Sequence, residues 1–172
     1  MRVLIVADTH GRLAAAIARL AGEVDLVVHG GDVGAAAVLA ALAAGGARVV
    51  AVRGNNDTPA QWPPGEAALP ATLPVQLECP LPGGVLAVCH GDAAAAPGRH
   101  AWLRRRFPEA RAIVYGHSHR LLVDTAGTPW LLNPGAAGRA RTYGGPSCLL
   151  LEARPDGWDV QAHRVSADAW AC

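Results

Sequence analysis

The sequence predicts an α/β fold: a four-layer α/β/β/α sandwich with a parallel or mixed first sheet and a second sheet that includes antiparallel hairpins. Three observations carry this expectation. The first third of the chain alternates short β-branched runs with alanine-rich segments, the later part reads as closely spaced strands, and polar, glycine-bearing turns follow the early strands. Continuous apolar runs suit strands covered on both faces, and the Ala/Leu-rich segments between them suit crossover helices.

Strands are expected over residues 3–7, 24–29 and 48–53, with helices over 13–21 and 35–44. Together they form a βαβαβ unit with right-handed crossovers. Residues 59–74 hold five prolines and no clean periodicity, which predicts a long ordered loop able to cover a site. Residues 75–79 and 85–89 flank Pro80-Leu81-Pro82-Gly83-Gly84 and read as a hairpin whose second arm runs into His90-Gly91-Asp92. A helix over 101–107, with three consecutive arginines, leads to a strand over 112–115 that ends at Gly116-His117-Ser118-His119. Strand-like runs follow at 121–124, 129–133, 148–153 and 158–165, and Asp156-Gly157 marks a hairpin turn between the last two.

The length of 172 residues and an apolar fraction of 51% fit one domain spanning 1–172 with a continuous core. A charged fraction of 17% and a net charge of +1 create no broad field for nucleic acid or a membrane surface, so recognition of a phosphate must be local. All 15 basic residues are arginine, a sign of base-composition bias that weakens arguments from any single one. Cys79, Cys89, Cys148 and Cys172 form no CxxC pair and read as buried structural thiols. The N-terminal apolar run is too short for a signal peptide, and no stretch approaches the roughly 20 apolar residues of a membrane span. A cytoplasmic protein is expected.

Five polar clusters fall at the ends of five expected strands: Asp8-Thr9-His10, Gly31-Asp32, Gly54-Asn55-Asn56-Asp57, His90-Gly91 and Gly116-His117-Ser118-His119. In open α/β sheets ligands bind at the carboxyl ends of strands. Asp8 and His10, like His117 and His119, are two residues apart, so in extended backbone each pair points to one side. Carboxylate, amide and imidazole donors together favour Mn, Fe, Zn, Co or Ni over Ca or Mg. A single strand-end Asp is ordinarily a turn residue or cap, but five such clusters in series have no common structural cause.

This ordered series resembles the calcineurin-like metallophosphoesterases, and among them the small single-domain bacterial phosphodiesterases. Asn133-Pro134-Gly135 is similar to the Asn-Pro-Gly turn of that branch, with Ala136 where a Ser usually follows. The resemblance implies two packed sheets flanked by helices and a centre of two divalent metals, manganese first, with Fe, Zn, Ni or Co as alternatives. Asp8, His10 and His119 would hold one ion and Asn55, His90 and His117 the other, with Asp32 bridging. It implies hydrolysis of a small phosphate ester, a diester before a monoester, by in-line attack of a metal-bridging hydroxide. Many members carry a His after the ligand Asn. Asn56 stands there instead, unable to act as an acid yet able to hydrogen-bond a phosphoryl oxygen, which biases the expectation toward activated or diester substrates.

Other residues carry weaker readings. His29 could orient a ligand or simply complete a buried hydrogen-bond network. Arg12 and Arg53 adjoin the clusters and could meet phosphate, Arg104-Arg105-Arg106 reads as a solvated helix face, and Trp62 and Trp102 read as packing residues. The alternative to an enzyme is a non-catalytic protein-interaction scaffold of the same fold. The sequence leaves the oligomeric state open, a homo-oligomer included.

Overall fold

A computed structural model of the protein describes residues 1–165. Strands β1 (Arg2–Val6), β2 (Leu26–His29) and β3 (Arg48–Ala51) pair in parallel and alternate with helices α1 (Ala15–Ala21) and α2 (Ala36–Ala43). The hairpin of β4 (Gln76–Leu81) and β5 (Gly84–Cys89) follows, then α3 (Arg99–Arg106), β6 (Ala112–Val114), β7 (Leu122–Asp124) and β8 (Trp130–Asn133). The hairpin of β9 (Ser147–Ala153) and β10 (Trp158–Arg164) returns to the first sheet, with β9 antiparallel to β1. Two five-stranded mixed sheets result among the described residues, in the orders β10-β9-β1-β2-β3 and β4-β5-β6-β8-β7.

The alternation of side chains along β1 shows why its run is apolar throughout. Val3 and Ile5 enter a cluster between the sheets with Leu86, Val88 and Leu132, whereas Leu4 and Val6 meet Ile17 of α1 and Leu42 of α2. A third cluster seats Leu103 and Phe107 against Ile113 and Leu131 of the second sheet. These three clusters separate four layers, α/β/β/α, as the sequence predicts. Each of α1 and α2 buries residues four apart, Ile17 with Ala21 and Val38 with Leu42, one stripe of a short amphipathic helix.

Several boundaries differ from expectation. The strand expected over 24–29 starts at Leu26, and the helix expected over 101–107 begins two residues earlier, at Arg99. The first hairpin is tighter than its proline content implies, because β4 runs through Pro80 to Leu81. Pro80 faces Val85, whose carbonyl accepts from Arg111 on the opposite side. The 80–85 pair is therefore a non-hydrogen-bonded one. The proline nitrogen faces the open edge and removes no ladder bond.

The segment 59–74 contains two 3₁₀ turns, Pro64–Glu66 and Leu69–Thr72, each with proline in its opening positions. It buries Trp62 in the α1/α2 cluster. Neither Ala14 nor Ala35 offers a capping side chain to the helix it precedes. For α2 the loop supplies one: Ala36 N–H donates to Glu66 Oε2 at 2.7 Å. The carboxylate also lies at the positive end of the helix dipole.

Cys79, Cys89 and Cys148 are unpaired, the latter two buried with thiols pushed by burial up to about 12. Cys172 lies outside the described residues. No helix among the described residues is long and apolar enough to cross a membrane. Glu66→Ala is expected to cost about 1 kcal/mol, read as a lower urea midpoint, because Ala36 N–H then has no side-chain acceptor. An unchanged midpoint would mean that the cap contributes nothing.

Candidate metal centre

The carboxyl ends of β1, β2, β3, β5 and β6 lie along one rim of the sandwich, and all seven residues expected to bind metal stand in the turns that follow. The turns are bonded to one another before any side chain is considered. Asp8 N–H donates to Gly31 O (3.0 Å), His10 N–H to Asp32 O (2.9 Å) and Gly116 N–H to His90 O (3.0 Å). Two glycines make the crowding feasible. A β-carbon on Gly31 would meet the His90 ring at 2.6 Å, and one on Gly54 would overlap the Asp32 carboxylate and backbone.

Among the described residues, six besides glycine have backbone in the left-handed region: Asp8, His10, Asp32, His117, His119 and Arg141. Such backbone disfavours side chains with a β-carbon and concentrates where function constrains it. Five of the six are expected ligands. Asp8, His10, Asp32 and His119 each bring a ligand-type atom within 4.8 Å of the other three. His10 Nε2 and His119 Nε2 are 3.2 Å apart, and His119 Nε2 is 3.4 Å from Asp8 Oδ1. Asn55 Oδ1 lies 3.2 Å from His90 Nε2 and 2.9 Å from His117 Nδ1. Asp32 Oδ2 stands between the two groups, 3.3 Å from His90 Nε2 and 3.7 Å from His10 Nε2.

Ring tautomers follow from the backbone partners. His119 Nδ1 donates to Ala140 O and His90 Nδ1 to Gly30 O, both at 2.9 Å. In the neutral rings the Nε2 lone pairs are then left facing the centre, the arrangement that outer partners impose on metal-ligating histidines. Burial lowers His119 to about 4 and also lowers His10 and His117, which keeps these rings neutral and fit to ligate.

The carboxylates are under opposite pressures. Burial raises Asp8 to about 7, with His90 pulling it down and Asp32 pushing it up. Its Oδ2 is buried with no hydrogen-bond partner. Burial also pushes Asp32 up, but the hydrogen bond and charge of His90 and two bonds from Asn56 hold it well below the carboxylate range. Burial lowers His90, while Asp32 and then Asp8 more than offset this and raise it to about 9. An orphaned carboxylate oxygen, converging imidazole lone pairs and mixed O/N donors fit a divalent transition-metal ion. The Arg141 guanidinium itself points a cationic N–H at His119 Nε2, 3.1 Å away.

Asn56 lies against Asp32: its backbone N–H donates to Oδ1 at 2.8 Å and its carboxamide to Oδ2 at 2.7 Å. His29 is fully buried and burial lowers it to about 4, so it is neutral. Its Nδ1 accepts from Gly31 N–H (3.2 Å) and its Nε2 lies 2.9 Å from the Thr9 hydroxyl, which donates to Val33 O. It thereby ties the Asp8-Thr9-His10 turn to the Gly31-Asp32 turn. Arg53 and Trp102 line a cavity of about 560 Å³ beside Asn55 and His90. Arg12 is exposed, and Arg104 is taken up by Asp124 at 2.8 Å.

Three residues do more here than the sequence reading assigned. Asp57, quoted only as part of a motif, accepts from Gly34 N–H, Gly54 N–H and the Trp62 indole at 2.8–3.0 Å, fixing the Asn55-Asn56 turn. Asn133 donates to Gly116 O and to Ser118 Oγ, both at 3.0 Å, and so braces the turn bearing His117 and His119. Arg141 had no signal: it lies in an irregular arginine- and glycine-rich stretch, and its left-handed backbone is invisible in sequence.

A family model for the calcineurin-like phosphoesterase superfamily domain matches residues 1–156. The chain belongs to the calcineurin-like phosphoesterase superfamily. Solved structures agree on the fold of this calcineurin-like chain. Vps29 of Entamoeba histolytica, solved with Zn²⁺, is 21% identical, with a TM-score of 0.72 over 96% of this chain and 98% of that one. An archaeal phosphodiesterase is 17% identical, with a TM-score of 0.71 over 95% and 100%. A predicted phosphoesterase of Streptococcus pneumoniae is 21% identical, with a TM-score of 0.68 over 96% and 92%. No curated protein matches the sequence.

Two outcomes are expected of this calcineurin-like centre. Gly54→Ala displaces Asp32 and should weaken divalent-metal binding about 10–100-fold, measured by competition with a chromophoric chelator; unchanged affinity would contradict the packing described. Below its ordinary pKa of about 6.5, the His90 proton is held by folded and unfolded chains alike and its contribution is complete. As pH rises through about 9 it is lost. His10, His117 and His119, being lowered, do not titrate above that ordinary value in either state. Chelator-treated protein should therefore lose urea stability from pH 7 to 9.5, with a metal-independent share toward the top of that range from the buried Cys89 and Cys148 thiols, which titrate only in the unfolded chain. Added metal should flatten the remainder of the slope. A flat profile without metal would contradict the His90–Asp32 pairing.

Proposed function

We propose that this protein is a dinuclear metal-dependent phosphodiesterase. The observation that carries the reading is the Asp8 carboxylate, buried with its Oδ2 unpartnered and with a ligand-type oxygen within 4.8 Å of the ligand-type atoms of His10, Asp32 and His119. Asp8, His10 and His119 would hold one ion and Asn55, His90 and His117 the other, with Asp32 shared. A carboxylate has lone pairs for two cations. Neutral Asn and His leave the pair of ions with net positive charge toward a phosphoryl group. Bound divalent ions supply Lewis acidity, making water a nucleophile near neutral pH and neutralising charge on phosphoryl oxygens.

The chain's own residues complete the chemistry. Asn56 holds Asp32 in place and, with His10, Gln61 and Arg141, lines an open cavity of about 450 Å³ beside it. A phosphoryl group there would meet the Asn56 carboxamide and the Arg141 guanidinium as hydrogen-bond donors. No acid stands where Asn56 is, which favours diesters and good leaving groups over simple alkyl monoesters. Among the described residues, two side-chain nucleophiles near the centre are held back. Ser118 Oγ is engaged by Asn133, and the Cys89 thiol is buried and pushed up to about 12. The substrate is a small phosphate ester, manganese is the first metal to test, and the site of action is the cytoplasm.

Purified protein should hydrolyse bis(p-nitrophenyl) phosphate only with added Mn²⁺, Co²⁺, Ni²⁺, Fe²⁺ or Zn²⁺. Asp32→Asn should lower kcat at least about 10²-fold, because it weakens both ion sites. Inactivity across that metal series at pH 6–9 would refute the proposal. Inactivity together with negligible metal content and a stable protein complex would establish the scaffold alternative.

A further inference from the structure

Next to the turn that carries His117 and His119 lies a third cavity, of about 550 Å³, which the chemistry above does not use. None of the seven expected ligands lines it, but its lining adjoins them along the chain. Ser118, which lines it, sits between His117 and His119; Arg120 follows His119; and Arg99 packs against Gly91, the residue after His90. Three guanidinium groups, Arg99, Arg120 and Arg164, line it, and no carboxylate does. None of the three belongs to an ion pair among the described residues, in contrast to Arg104 and Arg154, which are paired with Asp124 and Glu152. Unpaired cations gathered in one concavity are a feature that composition bias alone does not produce.

All three arginines are held in place, Arg99 by its Nε–H donating to Ala94 O at 3.0 Å. Arg164 Nη1 donates to Tyr143 O at 2.6 Å and fills the space left by Gly144, whose backbone is in the left-handed region. Arg120 lies 4.7 Å over the Tyr143 ring, forming a stacked platform at the mouth of the cavity, where Tyr143 is 51% exposed. A planar ring recognised without sequence-like detail is met in this way, by aromatic or guanidinium faces. Tyr115 closes the floor, with its hydroxyl 2.8 Å from His100 Nε2. The volume falls within the usual range for a small-molecule site.

Resting on the phosphodiesterase reading, we propose that this cavity is the subsite for one arm of the diester, and that this arm is a nucleotide: a planar base stacked on Arg120–Tyr143 and a second phosphate bound by the arginines. Anions are bound most strongly by such charge-assisted contacts, and a neutral alkyl arm would leave three guanidiniums unused.

The test uses three diesters sharing the p-nitrophenolate leaving group: methyl p-nitrophenyl phosphate, thymidine 5′-(p-nitrophenyl phosphate) and its 3′-phosphorylated form. With Mn²⁺, kcat/KM should rise at least about tenfold from the methyl ester to the 3′-phosphorylated ester. The paired substitution Arg120→Gln and Arg164→Gln should erase most of that ratio, whereas Arg105→Gln, on the exposed face of α3, should leave it intact. Independently of catalysis, thymidine 3′,5′-bisphosphate should bind chelator-treated protein in a calorimeter, about tenfold more weakly in the paired variant and more weakly still with added salt.

Equal kcat/KM for the three esters overturns the proposal, as does a preference for thymidine with none for its 3′-phosphate. So does bisphosphate binding indifferent to the two arginines. If no ester is cleaved but the bisphosphate binds in an arginine-dependent way, the subsite stands and the hydrolase reading falls.

Discussion

Everything at the rim of this molecule is arranged around an unfavourable fact: Asp8 is a carboxylate buried with one oxygen unanswered, close to a second carboxylate, Asp32. Desolvating a charge without pairing it is among the costliest things a fold can do. Two responses are built into the chain. His90 carries a proton toward Asp32, and Arg141 brings a cation to His119. Both bring positive charge to the carboxylates, His90 against Asp32 and Arg141 from beside His119, and both pull Asp8 down.

Such convergence requires unusual backbone and unusual bracing. Side chains from five strands meet only because the turns bend through left-handed conformations, with glycine before several ligands where a β-carbon would intrude. The strain is held by buried polar groups that never face a substrate. Asp57 gathers three N–H donors, neutral His29 links two turns, and Asn133 supports a third. Each satisfies polar groups that would otherwise be left unpaired in the interior, at a cost of about 1–3 kcal/mol apiece. The apolar sandwich beneath supplies a stiff base for this network.

The four-layer architecture and the positions of the expected ligands were legible in the sequence because both are periodic or punctuated signals. Apolar runs announced the doubly covered strands, and polar glycine-bearing turns announced their ends. The bracing was not legible. Asp57 looks like any turn aspartate until its three donors are seen, and Arg141 is one arginine in a chain rich in them. The 59–74 segment read only as a loop because 3₁₀ turns carry too short a repeat to show in hydropathy. Its link to α2 through Glu66 spans thirty residues of sequence, a distance that local pattern reading does not cross. The hairpin boundary at Pro80 was misplaced for a different reason: proline signals a break, and only the pairing register reveals that its nitrogen faces outward.

That outward-facing proline bears on how copies of the chain can meet. β4 is an outer strand of the second sheet, and an outer strand invites addition of another chain through its free N–H and C=O groups. Pro80 deletes a donor from that row, and Pro82 follows in the turn, so a neighbouring strand laid along this edge would find the ladder broken before it closed. The β4 edge of the sheet is thus protected against continuous cross-chain β-pairing and the aggregation it seeds. An assembly built across this edge has to use side-chain surfaces instead.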